Sequence, residues 1–151
     1  MSYDAIIVGG GAAGLAAAVF LGRCADGRRI AVLEKGPRVG KKLMATGNGT
    51  CNLTNIHATA ADYHGAPRLA KAALEAFSVA ETMDFFTAIG VDCATRPDGK
   101  VYPLSEQAGA VLDALRLEAQ ALGVEIRCDC KADRLQKQGE GEKEFYILVR
   151  K

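Results

Sequence analysis

Asp4 is followed by an unbroken apolar run, Ala5-Ile-Ile-Val8, and then by glycines. That is the pattern of a short strand covered on both faces in a parallel sheet. From Ala12 to Arg23 the residues are small or apolar and only the last is charged, which predicts a tightly packed helix closed by Asp26-Gly27. Ile30-Ala-Val-Leu33 then predicts a second buried strand finishing at Glu34. Strand, helix and strand in this order make a βαβ unit. Residues 36–59 are rich in Gly, Thr and Asn without apolar periodicity, and a stretch of that length inside a domain is usually functional.

Beyond it, Pro67 opens a helix running to Phe77, with proline in the tolerated first turn. Ser78-Val-Ala-Glu81 is a capping box opening a second helix, which Gly90 closes. Val91–Ala94 and Lys100–Tyr102 read as short strands around the turn Pro97-Asp-Gly99. Ser105 is expected to cap a helix whose apolar stripe is Ala108, Val111, Leu112, Leu115, Ala119 and Leu122, with Gly123 as its stop. Val124–Cys130 alternates as a strand, and Glu140-Gly-Glu142 reads as a turn before a last strand at Phe145–Val149. The expected class is α/β: a Rossmann-like βαβ with a parallel sheet, a helical insertion and the start of a β-meander. Residues 1–60 hold the βαβ unit and its loop, 61–123 the helical segment, and 124–151 the strand and hairpin. A doubly wound sheet needs more parallel strands than these, so the chain is expected to be the N-terminal part of an incomplete domain.

Charge adds little to this picture. With 19 basic against 18 acidic residues there is no field to draw nucleic acid or an anionic membrane, and neither partner is expected. Five scattered cysteines and no CxxC argue for reduced cytoplasmic thiols and against a disulfide framework, a redox dithiol or a zinc ribbon. Cys128 and Cys130, two apart on a predicted strand, should point to one face and be packed there. The uncharged run from Ala5 to Gly22 is interrupted by glycines and preceded by Asp4, so it reads as strand and helix, not as a signal or a membrane span.

Two segments carry candidate chemistry. Gly9-Gly10-Gly11-Ala12-Ala13-Gly14 contains GxGxxG between a predicted strand and a predicted helix. Gly9 permits the turn, Gly11 lets backbone approach a pyrophosphate, and Gly14 lets helix pack on strand. The helix start at Ala12 and Ala13 offers unpaired N–H groups and partial positive charge to phosphates. Glu34, followed by Lys35, stands at the end of the second strand, where a carboxylate accepts bonds from ribose hydroxyls and repels a 2′-phosphate. This motif leaves FAD and NAD both open. The second segment runs from Gly40 to Asn55: two cations (Lys41, Lys42), flexible Gly47 and Gly49, and donors on Thr46, Asn48, Asn52, Thr54 and Asn55. Such donor density suits an anion and a polar heterocycle, and equally a solvated loop with Asx-turns.

The second segment resembles the Gly-Lys-Lys-Leu…Ser-Gly-x-Gly-Arg-Cys-Asn-x-Thr-Asn signature of a bacterial flavoprotein family. That family includes aminoacetone oxidases and the flavin oxidoreductases of bile-acid dehydroxylation. Gly99-Lys-Val-Tyr-Pro103 resembles its Gly-Arg-Val-Phe-Pro block, and with the N-terminal glycines three blocks agree in order across the chain. The resemblance implies a two-dinucleotide-binding-domain flavoprotein fold, with FAD on the N-terminal unit and NAD(P)H as reductant. By position, Gly9, Gly11, Gly14, Glu34 and Lys42 would hold the adenosine and phosphate portions. Thr46, Gly47, Asn48, Cys51 and Asn52 would lie near the pyrophosphate or flavin ring. Thr46 stands for the family's Ser, Thr50 for its Arg, and Lys100 and Tyr102 for an Arg and a Phe; members are also longer chains.

Other candidates are bland. His57 and His64 are expected at the surface, Cys51 as a packed thiol, and no metal site or acid–base set is evident. The reading is therefore the FAD-binding portion of an FAD-dependent oxidoreductase of a small-molecule substrate, with catalytic residues unassigned. Two alternatives remain. One is a truncated or split nucleotide-binding module that needs a C-terminal companion segment. The other is an NAD-dependent dehydrogenase without flavin, which leaves residues 40–55 unexplained.

Overall fold

The computed structural model describes residues 2–137 and 145–150. The expected turn at Glu140–Glu142 lies outside them. The chain forms two compact units, one from residues 1–42 and 115–151, the other from residues 43–114.

In the first unit, β1 (Ala5–Val8) and β2 (Ile30–Leu33) are joined by α1 (Ala12–Arg23), as the apolar runs predict. β1 pairs parallel with β2 in the register Ala5 to Ile30 through Val8 to Leu33. The other edge of β2 takes β6 (Glu125–Arg127), also parallel, which gives the order β1-β2-β6. This is the 3-2-1 half of a doubly wound sheet. β2, the central strand, is buried at every position. β1 is not: Ile6 and Val8 are 36% and 61% exposed. The expectation of two covered faces thus holds for β2 alone, because the exposed Ile6 and Val8 share one face of β1. Helix α1 buries Leu15, Ala18 and Val19. A Cβ on Gly22 would lie 2.8 Å from the Leu122 Cβ, so the small residues of α1 serve close helix packing.

After β6 the chain departs from the expected strand. Asp129 takes a left-handed φ of 51°, which ends the alternation. Cys128 and Cys130 therefore do not share a strand face; Cys130 is buried and Cys128 half-buried. β7 (Lys131–Lys137) and β8 (Phe145–Arg150) then pair antiparallel, as the hairpin reading anticipates.

The second unit holds an antiparallel sheet in the order β3-β5-β4, from β3 (Thr54–Asn55), β4 (Cys93–Thr95) and β5 (Lys100–Pro103). Helices α2 (Pro67–Ala76) and α3 (Val79–Ala88) begin at the predicted proline and capping box. α4 (Ala108–Ala121) starts two residues later than a Ser105 cap would require. The reason is local: Glu106 adopts a left-handed φ of 53° and donates its N–H to the Pro103 carbonyl, so a turn intervenes. Among the described residues, no helix is long and apolar enough to cross a membrane.

The α3 cap yields a direct prediction. The Glu81 carboxylate accepts from the Ser78 hydroxyl at 2.6 Å and its backbone N–H at 2.7 Å, while Ser78 Oγ accepts from the Glu81 N–H. Those bonds hold the Glu81 carboxyl below its ordinary value, the hydroxyl contributing most. A depressed carboxyl stabilises the fold above its ordinary titration range and loses that contribution as pH falls through it. Ser78→Ala is expected to cost about 0.5–2 kcal/mol at neutral pH. Its melting curve should also depend less on acid than the wild type's between about pH 5 and pH 3. Equal melting temperatures at pH 7 would contradict the cap.

Candidate functional site

The turn from β1 to α1 and the end of β2 form one built arrangement. Gly9, at a left-handed φ of 105°, donates its N–H to the Leu33 carbonyl at 2.8 Å, locking the turn onto β2. Gly11 is the N-cap of α1 and supplies no side-chain cap, so the first-turn N–H groups at Ala12, Ala13 and Gly14 have no intrahelical acceptor. A Cβ built on Gly11 would meet nothing within 4 Å, so this face of the turn is open. Gly14 is the opposite case: its Cβ would fall inside the Gly9 carbonyl oxygen.

Glu34 is fixed through both carboxylate oxygens. Oε2 accepts from the Gly10 N–H at 2.9 Å and Oε1 from the Gly36 N–H at 2.8 Å. The Glu34 main chain is tied as well, its N–H donating to the Arg127 carbonyl and its carbonyl accepting from Cys130. Asp129 N–H reaches the Gly36 carbonyl, and Gly40 N–H reaches that of Gly10 at 2.7 Å. The crossing from β2 is thereby stitched to both the glycine turn and the segment after β6. Lys35 and Lys42 are exposed. Burial, then the Asp129 and Glu34 charges, push the Cys128 thiol up, which keeps it protonated at neutral pH.

Sequence reasoning finds Gly9, Gly11, Ala12, Ala13, Gly14 and Glu34, and the structure brings them together. It misses Gly10, which occupies an unspecified position of GxGxxG yet has no room for a side chain. A Cβ there would collide with the Val39 side chain and stand 3.2 Å from the Glu34 Cβ. It also misses the Gly36 N–H, for which a sequence carries no signal.

In the second unit Thr46, Gly47, Asn48, Cys51 and Asn52 share one tightly wound loop. Gly47, Asn48 and Cys51 all have left-handed φ, at 56°, 56° and 61°. Two of these are not glycine, and such residues persist only where their surroundings over-determine them. Cys51 donates its N–H to the Thr46 carbonyl at 3.0 Å, and Thr50 does so to that of Gly47. The Thr46 and Thr50 hydroxyls turn inward, donating to the Leu43 and Gly47 carbonyls. Cys51 is buried, whereas Thr46 through Gly49 and Asn52 are exposed. The loop thus presents backbone and the Asn48 and Asn52 amides, while its hydroxyl protons are used internally. His57 and His64 are exposed, as expected, and no cluster of metal-binding side chains occurs among the described residues.

Known proteins give this geometry a context. The chain is 38% identical over 136 residues to the 3-dehydro-bile acid delta(4,6)-reductase of Clostridium scindens, covering 89% of this chain and 33% of that protein. It is 27% identical over 144 residues to a ribosomal RNA dihydrouridine synthase of Haemophilus influenzae, covering 95% of this chain and 35% of that one. The chain therefore spans about a third of the length of these curated relatives. Among solved structures, Thermovibrio ammonificans THI4 superposes with a TM-score of 0.63 at 18% identity, over 96% of this chain and 45% of that one. The 3-ketosteroid-delta4-(5alpha)-dehydrogenase of Rhodococcus jostii RHA1 superposes with a TM-score of 0.61 at 16% identity, over 89% and 38%. These two likenesses establish the fold. The profile of the HI0933-like protein Rossmann domain matches residues 3–149, and the chain belongs to that family.

Proposed function

We propose that the chain binds FAD and is the dinucleotide-holding portion of an FAD-dependent oxidoreductase. The observation that carries this reading is the doubly anchored Glu34 carboxylate beside a glycine turn whose Gly11 face is open. The residues fit the group. N–H groups at Ala12 and Ala13 match a pyrophosphate and Glu34 matches ribose hydroxyls, while the family resemblance assigns Lys42 to the phosphates and the loop at Thr46–Asn52 to the flavin. FAD, when bound, supplies hydride or electron transfer; the protein binds and orients it.

NAD(P)H is the proposed reductant. The names of both curated relatives denote saturation of a carbon–carbon double bond, which favours a reductive direction. A small unsaturated molecule is the proposed substrate class, following the relative of higher identity. A ribosomal RNA substrate is the second reading, favoured by the name of the other relative and at odds with the balanced charge. The length covered supports a companion segment supplying the remainder of the substrate region. The free thiols, all five of them, support a cytoplasmic setting.

Titration of the purified chain separates the readings. FAD is expected to bind with a red-shifted, structured flavin band and quenched fluorescence, and NAD about tenfold or more weakly. Preference for NAD would support the flavin-free dehydrogenase, and absence of binding to either would sink the cofactor reading. Retention of ribosomal RNA on a filter at physiological salt would favour the RNA substrate.

A further inference from the structure

The loop at Thr46–Asn52 breaks the 3-10 turn of Leu43–Gly49 with non-helical backbone at Thr46, Gly47 and Asn48, and it carries positive φ at Gly47, Asn48, Gly49 and Cys51. Its support is Tyr102. This side chain belongs to β5, the central strand of the antiparallel sheet, and is buried at 8% exposure. Gly47 lies against the edge of the ring: a Cβ there would stand 3.2 Å from Tyr102 Cε1, 3.0 Å from Thr50 Oγ1 and 2.8 Å from the Asn52 nitrogen. Over the ring face stands the Arg96 guanidinium, 3.9 Å from the centroid. Arg96 is held in turn by Glu106 at 2.8 Å. Directly after Asn52, the Leu53 N–H donates to the Val101 carbonyl of the same strand at 2.8 Å. Loop and platform are thus joined at the ring and at the backbone beside it.

We propose that Tyr102 is the positioning residue of the Thr46–Asn52 loop, which the FAD reading assigns to the flavin: its ring, contacted by Arg96, holds Gly47 and so keeps Asn48 and Cys51 in their left-handed arrangement and Asn52 in place beside them. The physical ground is that positive φ at Asn48 and Cys51 is unfavourable by itself and needs a rigid surface against it. The ring, not the hydroxyl, makes both contacts, so phenylalanine should serve equally. The flavin part of this proposal rests on the FAD reading above; the loop-holding part does not.

The test uses the whole chain and its Tyr102→Phe, Tyr102→Leu and Arg96→Leu variants, with two readouts. The first is the rate of N-ethylmaleimide labelling of Cys51, resolved by peptide mass spectrometry, with buried Cys130 in the other unit as control. Tyr102→Leu should raise Cys51 labelling about fivefold, an amount in keeping with loss of a solvent-exposed cation–π contact, and leave Cys130 unchanged. Arg96→Leu should raise it less, and Tyr102→Phe should match the wild type.

The second readout is the affinity for FAD against that for ADP, which carries only the adenosine end. Tyr102→Leu should weaken FAD about tenfold while ADP stays within about twofold. Wild-type labelling of Cys51 in Tyr102→Leu overturns the proposal. So does equal acceleration at Cys130, which means general loosening, or a Tyr102→Phe variant that behaves like leucine. A chain whose Cys51 responds as expected but that never binds FAD leaves Tyr102 as the holder of the loop and removes the flavin reading.

Discussion

Gly14→Ala is expected to lower stability sharply even though alanine is the better helix former. The substitution gains about 1 kcal/mol of intrinsic helix propensity. Against this, the new Cβ is driven into the Gly9 carbonyl oxygen, lies 3.1 Å from its carbon and touches Ile7 Cγ2 at 3.4 Å. The colliding atoms are backbone, so no rotamer change relieves them. Either α1 lifts off β1, loosening Leu15, Ala18 and Val19, or the Gly9 turn opens and loses its bond to Leu33. Overpacking of this kind costs about 3 kcal/mol or more, so the steric loss wins by about 2 kcal/mol. A fall in melting temperature of about 4–8 °C should follow.

Gly11→Ala is the informative contrast. Gly11 has an ordinary φ of −82° and open space where its Cβ would go. Melting should therefore shift by less than about 0.5 kcal/mol, while FAD binding weakens at least about tenfold because the new methyl occupies the pyrophosphate face. Melting of Gly14→Ala at the wild-type temperature would refute the packing argument. Unchanged FAD binding by Gly11→Ala would place the phosphates elsewhere.

Glu34→Ala should have the largest effect on the cofactor. The carboxylate satisfies two main-chain donors, Gly10 and Gly36, and is also the proposed ribose contact. Bonds to a charged acceptor contribute about 1.5–3 kcal/mol each, but Glu34 is half-buried and water replaces part of what is lost. A stability loss of about 2 kcal/mol is expected. FAD affinity should fall about a hundredfold or more, since the ribose contact and the shape of the turn go together. Glu34→Gln retains one acceptor oxygen and turns an amide N–H toward a backbone N–H, so it should lie between wild type and alanine. Calorimetric titration with FAD checks the series. An alanine variant that binds as tightly as the wild type would remove Glu34 from the site.

Much of the fold is legible because its signals are local. Ala5–Val8, Ala12–Arg23 and Ile30–Leu33 each carry their own hydrophobic pattern, and Pro67 and Ser78 mark helix starts by the chemistry of the first turn. Two of the expectations that fail do so where a single backbone angle intervenes. Left-handed Glu106 displaces the start of α4 beyond Ser105, and left-handed Asp129 breaks the strand that would have aligned Cys128 with Cys130. Neither residue is glycine, so the turn is announced only weakly by Asp129 and not at all by Glu106.

The candidate site divides the same way. The glycines and Glu34 could be read from spacing alone, because a strand–turn–helix fixes where positions 9, 11, 14 and 34 must go. By itself the sequence determined a βαβ unit with a dinucleotide-type turn and its family resemblance. Tertiary structure alone decided that Gly10 is as constrained as its neighbours, since Val39 and Glu34 fold back over it from beyond β2. It alone decided that the Glu34 carboxylate is aimed by the Gly10 and Gly36 N–H groups, and that Tyr102 underlies Gly47 from a strand more than fifty residues on. The physical reason is that periodicity and caps are set by neighbours along the chain. Steric exclusion and the direction of a hydrogen bond are set by whatever the fold brings into contact.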